Sequence, residues 1–237
     1  SVTSQSSTTA SIVKKSLTAS ATASNKTYNG NTTATTTLSF SGLVGSETLG
    51  QSVSSTFNNK NVGTGKTVTV NSITLSDGSN GGVASNYSIS SGQTTTANIT
   101  AKALTVSGIT ASNKTYDGNT VVTLDLTGTS YSGLVSGDDV SISASGSFDN
   151  KNVGTGKTVN ISSSYSGSDV GNYSITDQAT TTANITASVS GITVRGITAS
   201  NKTYDGNNSA TLDTSNVSYS GLVEGDDVTG SFSGTFS

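Results

Sequence analysis

Apolar positions along this chain alternate with hydroxylic ones. Leu104-Thr-Val106, Val122-Thr-Leu-Asp-Leu126, Val140-Ser-Ile-Ser-Ala144 and Val159-Asn-Ile161 each put every second residue on one face, the period of a half-buried strand. Ala183-Asn-Ile185 closes the series, and Gly108 reads as a bulge before Ile109. Short β-branched runs broken by Gly, Asn, Asp and Ser clusters, roughly every 8–12 residues, predict an all-β sandwich or barrel. No window carries a helical apolar stripe. The pattern assigns a core to Leu104, Val106, Ile109, Leu124, Ile142, Phe148, Val159, Ile161, Tyr173 and Ile185.

The pattern also recurs. Asn25-Lys-Thr-Tyr-Asn-Gly30 returns as Asn113-Lys-Thr-Tyr-Asp-Gly118 and as Asn201-Lys-Thr-Tyr-Asp-Gly206, 88 residues apart each time. Phe57–Lys66 returns as Phe148–Lys157 with nine of ten residues unchanged, which chance does not produce. Asn86-Tyr-Ser-Ile89, Thr94–Thr100 and Ser132-Gly-Leu-Val135 return in the same order. The expected organisation is a tail of a preceding repeat (1–15), repeat 1 (16–102), repeat 2 (103–190) and a truncated repeat 3 (191–237). Six or seven strands in about 85–88 residues match a small immunoglobulin-like sandwich in size. Only three residues separate Thr100 from Leu104, and five separate Thr186 from Ile192. Flexible linkers are longer, so the modules are expected to form an elongated, semi-rigid rod.

Composition narrows the chemistry. The 237 residues hold no His, Cys, Met, Trp or Pro. Thiolate and imidazole catalysis, and the usual zinc, copper, haem and iron–sulfur ligand sets, are therefore out of reach. A net charge of −3 with 11 basic residues supplies no phosphate-neutralising stripe, so nucleic acid is not an expected partner. No window nears the length of apolar sequence that spans a membrane. Only 30% of residues are apolar, but charge is low and Pro absent, which is not the composition of disorder. With no initiator Met or leader, the segment reads as part of a longer protein.

Individual motifs carry candidate roles. Tyr-Asp-Gly and Tyr-Asn-Gly are hairpin signals, since a type I′ turn takes φ > 0 at both central residues. Tyr28, Tyr116 and Tyr204 are then expected as packed rings whose hydroxyls bond nearby backbone. Gly137-Asp138-Asp139 and Gly225-Asp226-Asp227 offer oxygen ligands for Ca²⁺, with a solvated turn as the alternative; the first copy has Ser46-Glu47 there. Asn59–Lys66 and Asn150–Lys157 lack the first Gly of a phosphate loop and run into a strand, so they read as Gly-rich hairpin loops. Lys26, Lys114, Lys202, Lys60 and Lys151 recur beside Asn and Asp, the ingredients of a Lys–Asn cross-link if an apolar pocket gathers them.

Gly108–Asn119, Ser132-Gly-Leu-Val135, Gly-Asp-Asp-Val140, Phe148–Lys157, Gly171–Ser174 and the closing Thr-Thr-Ala-Asn-Ile-Thr186 together resemble the YDG repeat of large bacterial surface adhesins. Filamentous-haemagglutinin-like and other giant repetitive exoproteins carry it. The resemblance covers nearly the whole chain and implies an exported, non-enzymatic module of the bacterial cell surface, with no cofactor and no catalytic residue to carry over. Its setting would be cell adhesion and biofilm. The first copy departs from it at Asn29 and Ser46-Glu47.

Three functions compete on this basis. A stalk would hold a distal binding domain away from the cell, its partners being neighbouring repeats of the same long chain. Alternatively the repeats themselves bind host or matrix glycans, proteins or one another, with Tyr131 and Tyr219 as stacking platforms and Ser/Thr-rich edges as pairing surfaces. A glycosidase would need two carboxylates across a cleft. Asp138, Asp139, Asp149 and Asp169 exist, but thin repeated modules offer no obvious cleft.

Overall fold

The computed structural model describes residues 7–188 and 191–237. They form an all-β structure, interrupted only by single 3-10 turns at Ala84–Asn86 and Val170–Asn172. The boundary expected at residue 190 and the start of the 1–15 segment lie outside the described residues.

Repeat 1 runs through β1 (Lys15–Ser16), β2 (Thr18–Ala23), β3 (Lys26–Thr27), β4 (Thr33–Ala34), β5 (Thr36–Ser41), β6 (Leu49–Phe57), β7 (Gly63–Asp77), β8 (Tyr87–Ser88) and β9 (Thr94–Thr100). Its main sheet has the order β3-β9-β7-β6-β4. The edge strand β3 is parallel to β9, with Lys26 opposite Ile99, while β9, β7, β6 and β4 are antiparallel. Alternation decides which face is inside: Val68, Val70, Ala97 and Ile99 point one way and are buried, and the hydroxylic residues between them face out. The Gly-rich segment joins β6 to β7 as expected, with a register shift between Gly63 and Lys66.

Repeat 2 continues with β10 (Lys102–Ser107), β11 (Thr110–Ala111), β12 (Lys114–Thr115), β13 (Val121–Val122), β14 (Leu124–Asp125), β15 (Ser130–Ser132), β16 (Ser141–Phe148), β17 (Gly154–Ser166), β18 (Tyr173–Thr176) and β19 (Thr180–Thr186). The sheet β12-β19-β17-β16-β13 copies that of repeat 1, down to Lys114 opposite Ile185. Repeat 3 contributes β20 (Thr193–Arg195), β21 (Thr198–Ala199), β22 (Ser209–Ala210), β23 (Leu212–Asp213), β24 (Ser218–Ser220) and β25 (Gly234–Thr235), paired β20-β24, β21-β23 and β22-β25.

Contacts divide the chain into two compact units that cut across the sequence repeats. The first takes the chain through Thr105 together with Tyr131–Ser141 and Tyr165–Thr176; the second takes Val106–Ser130, Ile142–Ser164 and Asp177–Ser237. In the first, Tyr28, Phe57, Val68, Ala97 and Ile99 of repeat 1 share one buried cluster with Leu104 and Tyr173 of repeat 2. In the second, Val122, Phe148, Val159, Ala183 and Ile185 form the cluster.

Three sequence expectations about the fold are corrected. The Tyr-Asn/Asp-Gly segments are not type I′ hairpins. Gly30, Gly118 and Gly206 hold φ of +81, +81 and +85°, but Asn29, Asp117 and Asp205 are not left-handed. The flanking strands also do not pair with each other: β3 joins β9 and β4 joins β6. The turn is thus a corner between two positions in the sheet. Val122–Leu126 is likewise not one strand. Val121–Val122 pairs with β16 and Leu124–Asp125 with β11, so the chain changes sheet at Thr123. Leu124, Ile142 and Ile161, expected in the core, are half-buried, whereas Leu104, Val106, Ile109, Phe148, Val159, Tyr173 and Ile185 are buried.

Candidate functional site

The recurring polar residues first build a corner. Lys26 Nζ donates to Asn29 Oδ1, Asn31 Oδ1 and the carbonyls of Asn31 and Thr33, all within 3.0 Å. Lys114 does the same with Asp117, Asn119 and the Val121 carbonyl, and Lys202 with Asp205, Asn207 and the Ser209 carbonyl. Asn25 and Asn113 accept the N–H of Asn98 and Asn184 at 2.7 Å, fastening the corner to the last strand of its repeat. Each of these lysine Nζ atoms is ringed by side-chain and backbone oxygens of its own corner. Two residues beyond each lysine comes a tyrosine: Tyr28, Tyr116 and Tyr204.

In the first unit that tyrosine reaches the next repeat. The Tyr28 hydroxyl donates to Asp138 Oδ2 at 2.8 Å, and the Tyr173 hydroxyl donates to the same oxygen at 2.5 Å. The two rings meet edge to face, 5.6 Å between centroids, a favoured aromatic geometry. Lys60 stands 3.1 Å from Asp138 Oδ1 and 2.7 Å from Asp169 Oδ1, with its ammonium 5.9 Å from the centre of the Tyr28 ring. Asn172, buried, accepts the Val62 N–H at 3.0 Å. Gly30 seats against Val135: a Cβ there would lie 2.8 Å from Val135 Cγ1. Every contact joins a residue of repeat 1 to a residue of repeat 2 or braces one that does.

The electrostatics follow. Burial pushes the Asp138 carboxyl up, but the Tyr173 and Tyr28 hydroxyls and Lys60 outweigh it and hold it below its usual range. Lys60 chiefly, with the Asp139 N–H, holds Asp169 down. Asp169, Tyr28 and Asp138 raise Lys60. Burial and then Asp138 push the Tyr173 phenol up to about 12, and Tyr28 is raised for the same reasons. At neutral pH the cluster is a neutral phenol pair around an ionised Lys–carboxylate group, with the carboxylates buried and Lys60 partly open to solvent.

The second unit repeats the geometry. The Tyr116 hydroxyl donates to Asp226 Oδ1 at 2.5 Å, Lys151 Nζ lies 2.9 Å from the same oxygen, and Gly118 seats against Val223. The Tyr116 hydroxyl, then Lys151, lower the Asp226 carboxyl, and Asp226 and Tyr116 raise Lys151. Tyr28–Asp138 and Tyr116–Asp226 are both 110 residues apart, longer than one repeat.

Asp138 and Asp226, considered as Ca²⁺ ligands, are therefore filled by phenols and ammonium groups. Asp139 accepts the Ser168 N–H through Oδ2, and Asp227 is exposed. Among the described residues no three acidic side chains converge as a metal site would need. Tyr131 packs half-buried against the first cluster, and Tyr219 is half-buried in β24 opposite Val194 of β20; neither is the open ring that sugar stacking takes. The hydroxyls of Tyr28 and Tyr116 bond carboxylates one repeat on, not nearby backbone. Lys60 and Lys151 were the residues that sequence reading did not connect to those tyrosines, and their spacing from the tyrosine differs between the two repeats.

The YDG domain model matches residues 13–97, 100–183 and 188–237. Searches of curated proteins and of solved structures gave no match.

Proposed function

The chain belongs to the YDG domain family, and from that premise we propose that it is a non-enzymatic segment of a bacterial surface adhesin, acting as an extended stalk that presents a distal binding domain. One observation carries the reading: the Tyr–carboxylate–Lys junction is built twice from recurring residues, with tyrosine and carboxylate 110 residues apart both times. A motif whose copies grip the next repeat is spent on continuity, and such arrays gain length without a binding site in every module. The extracellular, cell-surface setting and the role in adhesion belong to the same proposal. Small-angle X-ray scattering on dilute protein, with Ca²⁺ and then with chelator, tests it. The expected particle is an elongated monomer indifferent to Ca²⁺. A compact or Ca²⁺-dependent particle would overturn the stalk.

A further inference from the structure

Asn-Gly occurs twice in this chain, at Asn29-Gly30 and Asn80-Gly81. When glycine follows a side-chain amide, its backbone nitrogen is unshielded by a Cβ and can close on the amide carbon with least hindrance. The first pair lies in the tyrosine corner, where the junction itself demands glycine. Gly30 has φ +81°, and a Cβ there would lie 2.8 Å from Val135 Cγ1. The contact that seats the corner thus also leaves this nitrogen open. Asn29 is exposed, so water reaches it.

The corner also treats the two ends of the Asn29 amide differently. Oδ1 accepts from Lys26 Nζ at 2.9 Å and from the Asn31 N–H at 3.3 Å. The second bond folds the side chain into a ring that contains the Gly30 nitrogen. Both donors sit on the oxygen where negative charge develops when a nucleophile adds to the amide carbon. Asn80 has the opposite arrangement. Its Nδ2, the nitrogen that would leave, donates to the Ser46 carbonyl at 3.0 Å, and its φ is +57°. In the other two repeats the place of Asn29 is taken by Asp117 and Asp205. Lys114, 2.6 Å from Asp117, holds that carboxyl below its usual range, and Lys202 does the same to Asp205 at 2.7 Å. An ionised carboxylate is a poor target for a nucleophile. The same lysine position therefore activates an amide in repeat 1 and protects a carboxylate in repeats 2 and 3.

We propose that Asn29 is a site of spontaneous modification: its amide closes on the Gly30 nitrogen, and water opens the resulting ring to aspartate or isoaspartate. The Gly30 nitrogen gives its proton to solvent and bonds Asn29 Cγ, with Lys26 and the Asn31 N–H meeting the oxyanion. The Cγ–Nδ2 bond then breaks, and the nitrogen leaves as ammonia after taking a proton from water. One water hydrolyses the succinimide. Attack at the side-chain carbonyl gives aspartate, and attack at the main-chain carbonyl gives isoaspartate. The net change is amide and water to carboxylate and ammonium. The aspartate product reproduces the corner of Lys114 and Asp117. The isoaspartate product routes the main chain through Cβ and lengthens the corner by one atom. That atom enters between Tyr28, bonded to Asp138 at 2.8 Å, and Gly30, seated on Val135. The junction between repeats 1 and 2 consequently loosens as the protein ages. The modification goes beyond the stalk reading and does not depend on it.

Incubation of the full chain at mildly alkaline pH, with digestion and mass spectrometry over time, tests it. Amide loss and isoaspartate are expected at Asn29 at least about tenfold faster than at Asn80, a modest part of what a placed oxyanion donor contributes. Asp117 in the same digests stays aspartate. Lys26→Met, read against Asn80 as an internal clock, is expected to slow conversion at Asn29 at least about tenfold. Lys26→Arg, which keeps the charge, restores the rate, and circular dichroism checks that both variants fold. Aged wild-type protein is expected to melt below fresh protein in step with its isoaspartate at Asn29. Asn29→Asp, which ages at Asn80 alone, keeps its midpoint. Conversion at Asn29 no faster than at Asn80, or isoaspartate forming as fast at Asp117, would overturn the proposal without any variant. So would a folded Lys26→Met chain that converts at the wild-type rate or above it, or isoaspartate at Asn29 with no fall in the midpoint.

Discussion

Asp138 has 3% of its side chain exposed, and a carboxylate so buried is tolerable only because three donors meet it. That arrangement makes the first unit sensitive to pH at both extremes. The folded Asp138 and Asp169 carboxyls lie below their ordinary 3.8. On acidification the unfolded chain takes up protons first. The stability they contribute is full above about pH 4 and is lost as pH falls through the folded values. Tyr173, raised from 10.0 to about 12, works in the other direction. Its contribution is full below pH 10, and between there and 12 the unfolded chain loses the proton first, so stability falls as pH rises. Thermal melts across pH are expected to be level between about pH 5 and 9 and to drop on either side. Tyr173→Phe should shallow the alkaline drop, and an unchanged alkaline limb would refute the assignment. At this scale the sequence displayed the residues but not their partners: Tyr28 and Asp138 are 110 positions apart, and nothing local selects one carboxylate over another.

The Tyr-Asn/Asp-Gly corner is the element that converts a recurring motif into a junction. Its glycine has two separate reasons. Gly30 has φ +81°, which costs a residue with a Cβ, and that Cβ would also press on Val135 at 2.8 Å. Gly30→Ala is therefore expected to destabilise the first unit by more than about 1 kcal/mol. Gly206→Ala, with the same backbone strain and open space around it, should cost the strain alone. Denaturant titration of the two variants separates the contributions, and equal losses would mean that the Val135 contact adds nothing. Hairpin chemistry was the natural reading of Asp-Gly between two short strands. It failed because β3 and β4 find better partners in β9 and β6, and strand pairing is a long-range property.

The units of the whole molecule do not coincide with its repeats. Leu104 and Tyr173 complete the cluster around Tyr28, Phe57 and Ile99, so repeat 1 closes its core with residues from repeat 2. A fragment of residues 13–101 should consequently melt well below one of residues 13–176, which retains Leu104 and Tyr173. Equal midpoints would show that the repeat is self-sufficient and the junction incidental.

The sequence by itself determined the all-β class, the 88-residue repeat, seven buried core residues of repeat 2 and the membership that the family model bears out. Those properties rest on local periodicity and on copies of the same string, which need no knowledge of distance in space. The tertiary structure alone decided that Tyr28 and Lys60 meet Asp138 across a repeat boundary, that the Asp-Gly turn is a corner, and that Val121–Leu126 serves two sheets. Those outcomes depend on which strands lie side by side, and in a chain of near-identical hydroxyl-rich segments the composition of any one strand does not name its neighbour.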